Sequence, residues 1–124
     1  MNVVDSSAWL AYFAGEPNAE FFAEAIEDVD FLLVPSACIY EVFKVVLRQR
    51  GEDEALVAVA AMHSGRVVGL DSELAVEAAA LGLQERLPFA DSIVYAVARK
   101  HSATLWTQDA HFEGMQGVRY LPGN

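Results

Sequence analysis

The sequence predicts a three-layer α/β/α sandwich built on a central parallel sheet of four to five strands. Short apolar runs alternate with helical segments along the whole chain. The apolar runs are continuous rather than alternating, as strands covered by helices on both faces require. No internal repeat, low-complexity tract or linker interrupts the alternation, and a length of 124 residues suits a single domain, residues 1–124.

Each element has its own local signal. Asn2 to Asp5 reads as a short buried strand, and Ser6 to Ala14, with Trp9, Leu10, Tyr12 and Phe13, as a very apolar helix. Gly15-Glu16-Pro17-Asn18 is a breaker. Ala19 to Glu27 places Phe22, Ala25 and Ile26 on one side with acids between them, the pattern of an amphipathic helix. Phe31 to Val34 is a second strand, closed by Pro35. Ser36 is placed to cap a helix that runs to about Gln49 and stops at Gly51. Glu52 to His63 is a further helix, followed by a strand over Val67 to Leu70. Asp71 or Ser72 caps the next helix, which ends near Arg86; Pro88 then breaks the chain. Phe89 to His101 forms the last long helix, and strands follow at Ala103 to Thr107 and Val118 to Leu121.

The apolar share, 54%, exceeds the usual ~45–50% even when glycine replaces tyrosine in the count. That surplus fits either surface kept for a second copy or another chain, or a tightly packed small domain. A net charge of −10 argues against broad electrostatic binding of nucleic acid, so any such contact must be local. The lone Cys38 has no internal disulfide partner and lies in an apolar run, which points to a reducing compartment, the cytoplasm. No run reaches the roughly 18–20 apolar residues of a membrane span. The N-terminus opens into a strand without a basic stretch, so no signal peptide is expected.

Four carboxylates stand where an acidic metal site would need them. Asp5 ends the first strand and Asp109 follows the fourth; in open parallel sheets ligands bind beyond the carboxyl ends of strands, where strand order reverses. Asp91 lies in the first turn of a helix, where the helix dipole favours an ionised carboxylate. Glu41 projects from a largely apolar helix side, although Lys44 at i+3 offers it a simple ion pair. Isolated carboxylates on apolar segments are costly to bury unless a cation or hydrogen-bond donors compensate them. Converging, the four would form an oxygen cage for a magnesium-type ion. Read singly, each has an ordinary structural explanation as an exposed charge, a cap or a turn residue. His63 and His101 fall at helix ends facing solvent or the dipole; His111, two residues past Asp109, is within reach of a substrate, as the less favoured of its readings. Arg48, Arg50, Arg86, Arg99 and Lys100 are the scarce basic candidates for phosphate contact.

Val3-Val4-Asp5-Ser6-Ser7-Ala8-Trp9-Leu10, Glu41 in a mid-chain helix, Ala90-Asp91-Ser92 and Leu105-Trp106-Thr107-Gln108-Asp109-Ala110-His111-Phe112 occur in that order. Together they resemble the PIN-domain family, and within it the VapC-type ribonuclease toxins of toxin–antitoxin pairs, over essentially the whole chain. The resemblance implies a Mg²⁺- or Mn²⁺-dependent endoribonuclease whose catalytic acids are Asp5, Glu41, Asp91 and Asp109. It makes Asp5 and Asp91 direct metal ligands, with Asp109 close by or bridging through water. Ser6 and Thr107 would orient the acids or their waters, and Ser92 stands where the family often has a small residue. It also implies an RNA substrate, a homodimer, and a protein antitoxin whose tail blocks the acidic groove.

Rival readings fit less well. A haloacid-type phosphotransferase needs a second Asp two residues after the first, where this chain has Ser7. A phospho-receiver domain would want an acidic pair after the first strand and a Lys after the last, and neither is present. An RNA-maturation nuclease of the same fold, and a non-catalytic module that uses the acids for metal-dependent docking or partner recognition, are the remaining alternatives.

Overall fold

The computed structural model describes residues Met1–Gly123. Among these, five strands form one wholly parallel sheet: β1 (Asn2–Val4), β2 (Leu32–Pro35), β3 (Arg66–Val68), β4 (Thr104–Thr107) and β5 (Val118–Tyr120), in the order β3-β2-β1-β4-β5. The helices are α1 (Ser6–Ala14), α2 (Ala19–Ile26), α3 (Ser36–Arg50), α4 (Glu52–Met62), α5 (Ser72–Glu85) and α6 (Phe89–Lys100), with 3₁₀ turns at Val29–Phe31 and Ala110–Phe112. No helix among the described residues is long and apolar enough to cross a membrane.

The strand order decides where the helices go. From β1 the chain moves outward through β2 to β3, then returns across the sheet to β4. Right-handed crossovers therefore put α1–α4 on one face and α5–α6 on the other. Accordingly α2 packs on β1 and β4, while α6 packs on β1, β2 and β4. The central strands are buried beyond the first residues of β1 and β4, Val3, Val4, Leu33, Val34 and Leu105 being fully inaccessible. The edge strand β3 leaves Val67 exposed. The switch in direction falls between β1 and β4, which pair with Val4 opposite Trp106.

Local chemistry sets the element ends. Asp5 caps α1 by accepting from the Ala8 amide, and Gly15, at φ 65°, ends it in the left-handed conformation that glycine adopts at least cost. Asp71 caps α5 through the Leu74 amide. At α3 the expected cap is displaced: Ser36 is the first helical residue and Pro35 occupies the cap position, with no side-chain cap. Pro35 is at once the last residue of β2 and the partner of Val68. The chain then turns into α3, so residues 69–70 have nothing left to pair with, and β3 ends two residues before the Leu70 expected from its apolar pattern. Gly82 allows α5 to approach α6: a Cβ there would stand 2.9 Å from the Cβ of Ser92.

Candidate active site

The register of the two central strands builds the site. The Asp5 amide donates to the Trp106 carbonyl at 3.1 Å, which places Asp5 level with Thr107 just past the β1–β4 ladder. The Thr107 hydroxyl donates to Asp5 Oδ2 at 2.9 Å and accepts from the Asp109 amide at 2.9 Å. One buried hydroxyl thus ties together the carboxylate after β1 and the turn after β4. Asp5 Oδ1 accepts from Ser7 Oγ at 2.8 Å and from the Ala8 amide at 3.2 Å. Three of its roughly four lone-pair positions are therefore used, leaving one on Oδ2 for a ligand. Burial pushes the Asp5 carboxyl up to about 7; the three donors oppose the rise and the nearby Asp109 charge adds to it.

The outer part of the crevice is made by α6 and the turn after β4. Asp91 stands in the first turn of α6. Asp109 caps the 3₁₀ turn by accepting from the His111 amide at 2.9 Å. His111 Nδ1 lies 2.8 Å from Asp109 Oδ1 and 3.2 Å from Asp91 Oδ2. Burial, then the Asp109 charge, raises the Asp91 carboxyl to about 6, while His111 opposes the rise. Glu41, half-buried on α3, accepts from Ser6 Oγ at 2.6 Å. Its charge is felt at Asp91. Beneath them Cys38 is fully buried with its thiol toward the Val4 carbonyl, and burial beside Asp5 pushes that thiol well up from its ordinary value.

Of the four acids singled out from the sequence, Asp91 and Asp109 come together across His111, with ligand atoms within 4.8 Å of one another, whereas Asp5 and Glu41 fall outside that cluster. Thr107 ties Asp5 to the Asp109 turn, and Ser6 is hydrogen-bonded to Glu41. Ser92 is not brought to them: its hydroxyl donates to the Phe89 carbonyl at 2.6 Å, against Gly82. Nor does Lys44 pair with Glu41, since its ammonium lies over the Tyr40 ring, 5.6 Å from the centroid. Among the described residues no Lys or Arg forms an ion pair with any of the four; Arg50 pairs with Glu54, and Lys100 with Glu73 and Glu77. The structure adds two residues. Ser7 orients Asp5, and its place directly after the Asp5-Ser6 pair was the available signal. His111, which the sequence offered only as a less favoured substrate contact, bridges Asp91 and Asp109. Its spacing of two from Asp109 was the only hint.

A groove of about 700 Å³ between α1, α3 and α4 is lined by none of Asp5, Glu41, Asp91 and Asp109. Leu10, Phe13, Val45 and Val57 contribute its apolar walls, and Ser7 joins it to the crevice. Elsewhere Val76 and Leu83, seven residues apart on one face of α5, are 71% and 85% exposed, and Phe89 is 79% exposed. Such exposure shows that the apolar surplus is not all packed inside.

The family model for the PIN domain matches residues 3–118. No curated protein matches the chain. Similar solved structures include a toxin–antitoxin complex from Klebsiella pneumoniae, with 21% identity, 96% of each chain covered and a TM-score of 0.78. VapC20 of Mycobacterium tuberculosis, a sarcin–ricin-loop-cleaving toxin, is likewise 21% identical, with 95% of this chain and 97% of that one covered and a TM-score of 0.79. VapBC2 of Rickettsia felis, bound to a DNA fragment from its promoter, is 9% identical and covers 99% and 98%, with a TM-score of 0.74. At these identities the likeness is one of fold.

Proposed function

Because the chain belongs to the PIN-domain family, we propose that its acidic crevice is the active site of a divalent-metal-dependent endoribonuclease, the toxin of a toxin–antitoxin pair. The observation that carries this is that Asp5 and Asp109 follow the adjacent strands β1 and β4, that the Asp109 charge is felt at Asp5 and the Asp109 and Glu41 charges at Asp91, and that among the described residues no Lys or Arg is paired with the four. Carboxylates that burial and one another's charge push toward neutral pH want a cation. A donor set of carboxylate oxygens fits Mg²⁺ or Mn²⁺.

Asp5, Asp91 and Asp109 would hold the ion. When bound, it supplies Lewis acidity to a phosphoryl oxygen and lowers the pKa of a water. The remaining work belongs to the chain. Thr107 and Ser7 keep Asp5 in one orientation, and Thr107 also fixes the turn that carries Asp109. Ser6 holds Glu41 by Oε1, so Oε2 is available to accept a proton from the attacking water. In the hydrolysis a water oxygen bonds to phosphorus and a phosphorus–oxygen bond of the RNA backbone breaks, the leaving oxygen taking up a proton.

Two partners follow from the same reading. The apolar groove that Ser7 joins to the crevice suits a segment of a protein antitoxin, and the toxin–antitoxin complexes among the similar structures support that choice. The exposed Val76, Leu83 and Phe89 suit a homodimer. Incubation with a mixed RNA pool tests the activity: cleavage is expected with Mg²⁺ or Mn²⁺ and none with chelator. Full activity of folded Asp5→Ala protein would sink the proposal. A strict monomer at high concentration in a size measurement refutes the dimer.

A further inference from the structure

His111 stands beside the acids of the proposed site with no part in holding the ion through them. It is not one of the four acids, and among the described residues its side chain is held only by Asp91 and Asp109. Its backbone is firmly placed. The 3₁₀ turn begins at Asp109, whose amide is anchored on Thr107, and ends at Phe112, which is fully buried with its ring 6.2 Å from that of Tyr95. The imidazole therefore projects from a fixed turn into the gap between two carboxylates that belong to different elements.

We propose that His111 is a direct nitrogen ligand of the divalent ion and biases the site toward first-row transition ions such as Mn²⁺ over Mg²⁺. This deepens the nuclease reading and rests on it. Adjacent ligands of an octahedral ion bound at about 2.1 Å stand about 3 Å apart, the edge of the octahedron. Nδ1 of His111 is 2.8 Å from Asp109 Oδ1 and 3.2 Å from Asp91 Oδ2. The three residues offer ligand atoms all within 4.8 Å of one another. Ligation through Nδ1 requires the tautomer with its proton on Nε2. The side chain is 56% exposed, so water can accept that hydrogen bond. Magnesium favours oxygen donors and keeps its waters, whereas imidazole strengthens binding along the series from manganese to the later divalent ions.

The test uses Mn²⁺ alone, on the ion-free protein. Pulsed electron paramagnetic resonance of bound Mn²⁺ is expected to show a directly coordinated ¹⁴N nucleus in the wild type and none in His111→Ala. Competition between Mn²⁺ and Mg²⁺ should show the affinity ratio falling roughly tenfold or more in that variant, within the range for loss of a group supporting a metal site. His111→Gln, which keeps a polar side chain on the turn, should lose the nitrogen signal as well. Mn²⁺ bound in the wild type without nitrogen coupling, and lost in Asp5→Asn, overturns the role of His111 and leaves the acidic site standing. Absence of Mn²⁺ binding, or binding indifferent to Asp5→Asn, overturns both.

Discussion

Asp5 and Asp109 follow neighbouring strands, β1 and β4, and meet the same crevice, yet they are held in opposite ways. Asp5 is 4% exposed and receives hydrogen bonds from Ser7, Ala8 and Thr107. Asp109, with Asp91 across from it, has an exposed imidazole between the two carboxylates and remains open to solvent on that side. The inner carboxylate is over-determined: desolvation is tolerated because donors fix it in one orientation. The outer pair is held by a turn and a helix end and is more open to solvent, at 17% and 26% exposure of the side chains. Pre-organisation at the floor and accessibility at the rim suit a site that must place an ion accurately and still admit a polymer.

The sharpest break of this contrast is Asp5→Asn. The amide keeps the volume and one acceptor but removes the charge at the floor. Cleavage of RNA should fall more than about 100-fold, beyond the range typical of groups that only support a ligand. The fold should persist by circular dichroism. A variant with wild-type turnover would mean that the rim alone does the chemistry.

The floor should also govern how the ion-free protein responds to pH. In the native state the Asp5 carboxyl stands at about 7 and that of Asp91 at about 6, both above the ordinary 3.8. Between about pH 4 and 7 the folded state therefore binds more protons than the unfolded chain, and stability falls as pH rises through that window. Asp5 alone contributes a slope of up to about 1.4 kcal/mol per pH unit. Urea unfolding in chelator at pH 5 and pH 7.5 should show the lower stability at pH 7.5. A saturating divalent ion should remove most of the difference, and Asp5→Asn should flatten it. Equal midpoints at the two pH values in the wild type would show that the floor carboxylate is not under strain from burial.

Thr107→Val cuts the link between floor and rim while leaving every carboxylate in place. It removes the donor to Asp5 Oδ2 and the acceptor of the Asp109 amide, both in a buried setting. Activity should fall about 10–100-fold, with stability lower by about 1–3 kcal/mol. Thr107→Ser, which retains the hydroxyl, should recover most of the activity. Equal losses in the two variants would assign the effect to packing instead.

How much of this was legible in the sequence follows from how far apart the interacting residues are. The central strands could be read because strands buried on both faces are continuous apolar runs, as Leu32 to Val34 shows. The end of β3 could not, because it is set by where Pro35 leaves the sheet on the neighbouring strand. Asp5 and Asp109 were visible as strand-end acids. His111 was not visible as their neighbour: the path from Asp91 to His111 runs through α6, β4 and a turn, and only the assembled fold brings their side chains together. Lys44 misled for the opposite reason. Helical spacing offered Glu41 a local partner, but Glu41 is held by Ser6, 35 residues away, and Lys44 covers the Tyr40 ring.

The smallest expected effect falls on Ser92, adjacent to Asp91 in sequence but directed away from the crevice. Its hydroxyl closes on the Phe89 carbonyl in the first turn of α6, and its Cβ faces Gly82 on α5. Ser92→Ala should therefore cost about 1 kcal/mol of stability through the lost hydrogen bond and leave cleavage per folded molecule unchanged. Gly82→Ala tests the other side of the contact. A Cβ there would meet Ser92 Cβ at 2.9 Å, so α5 and α6 must separate, at about 1–3 kcal/mol. If that displacement reaches Asp91, activity per folded molecule falls with stability, and the rim depends on helix packing. If activity holds while the melting temperature drops, α6 carries Asp91 as a rigid lever whose position the sheet sets from beneath. The second outcome is the expected one, because α6 packs on β1, β2 and β4 as well as on α5.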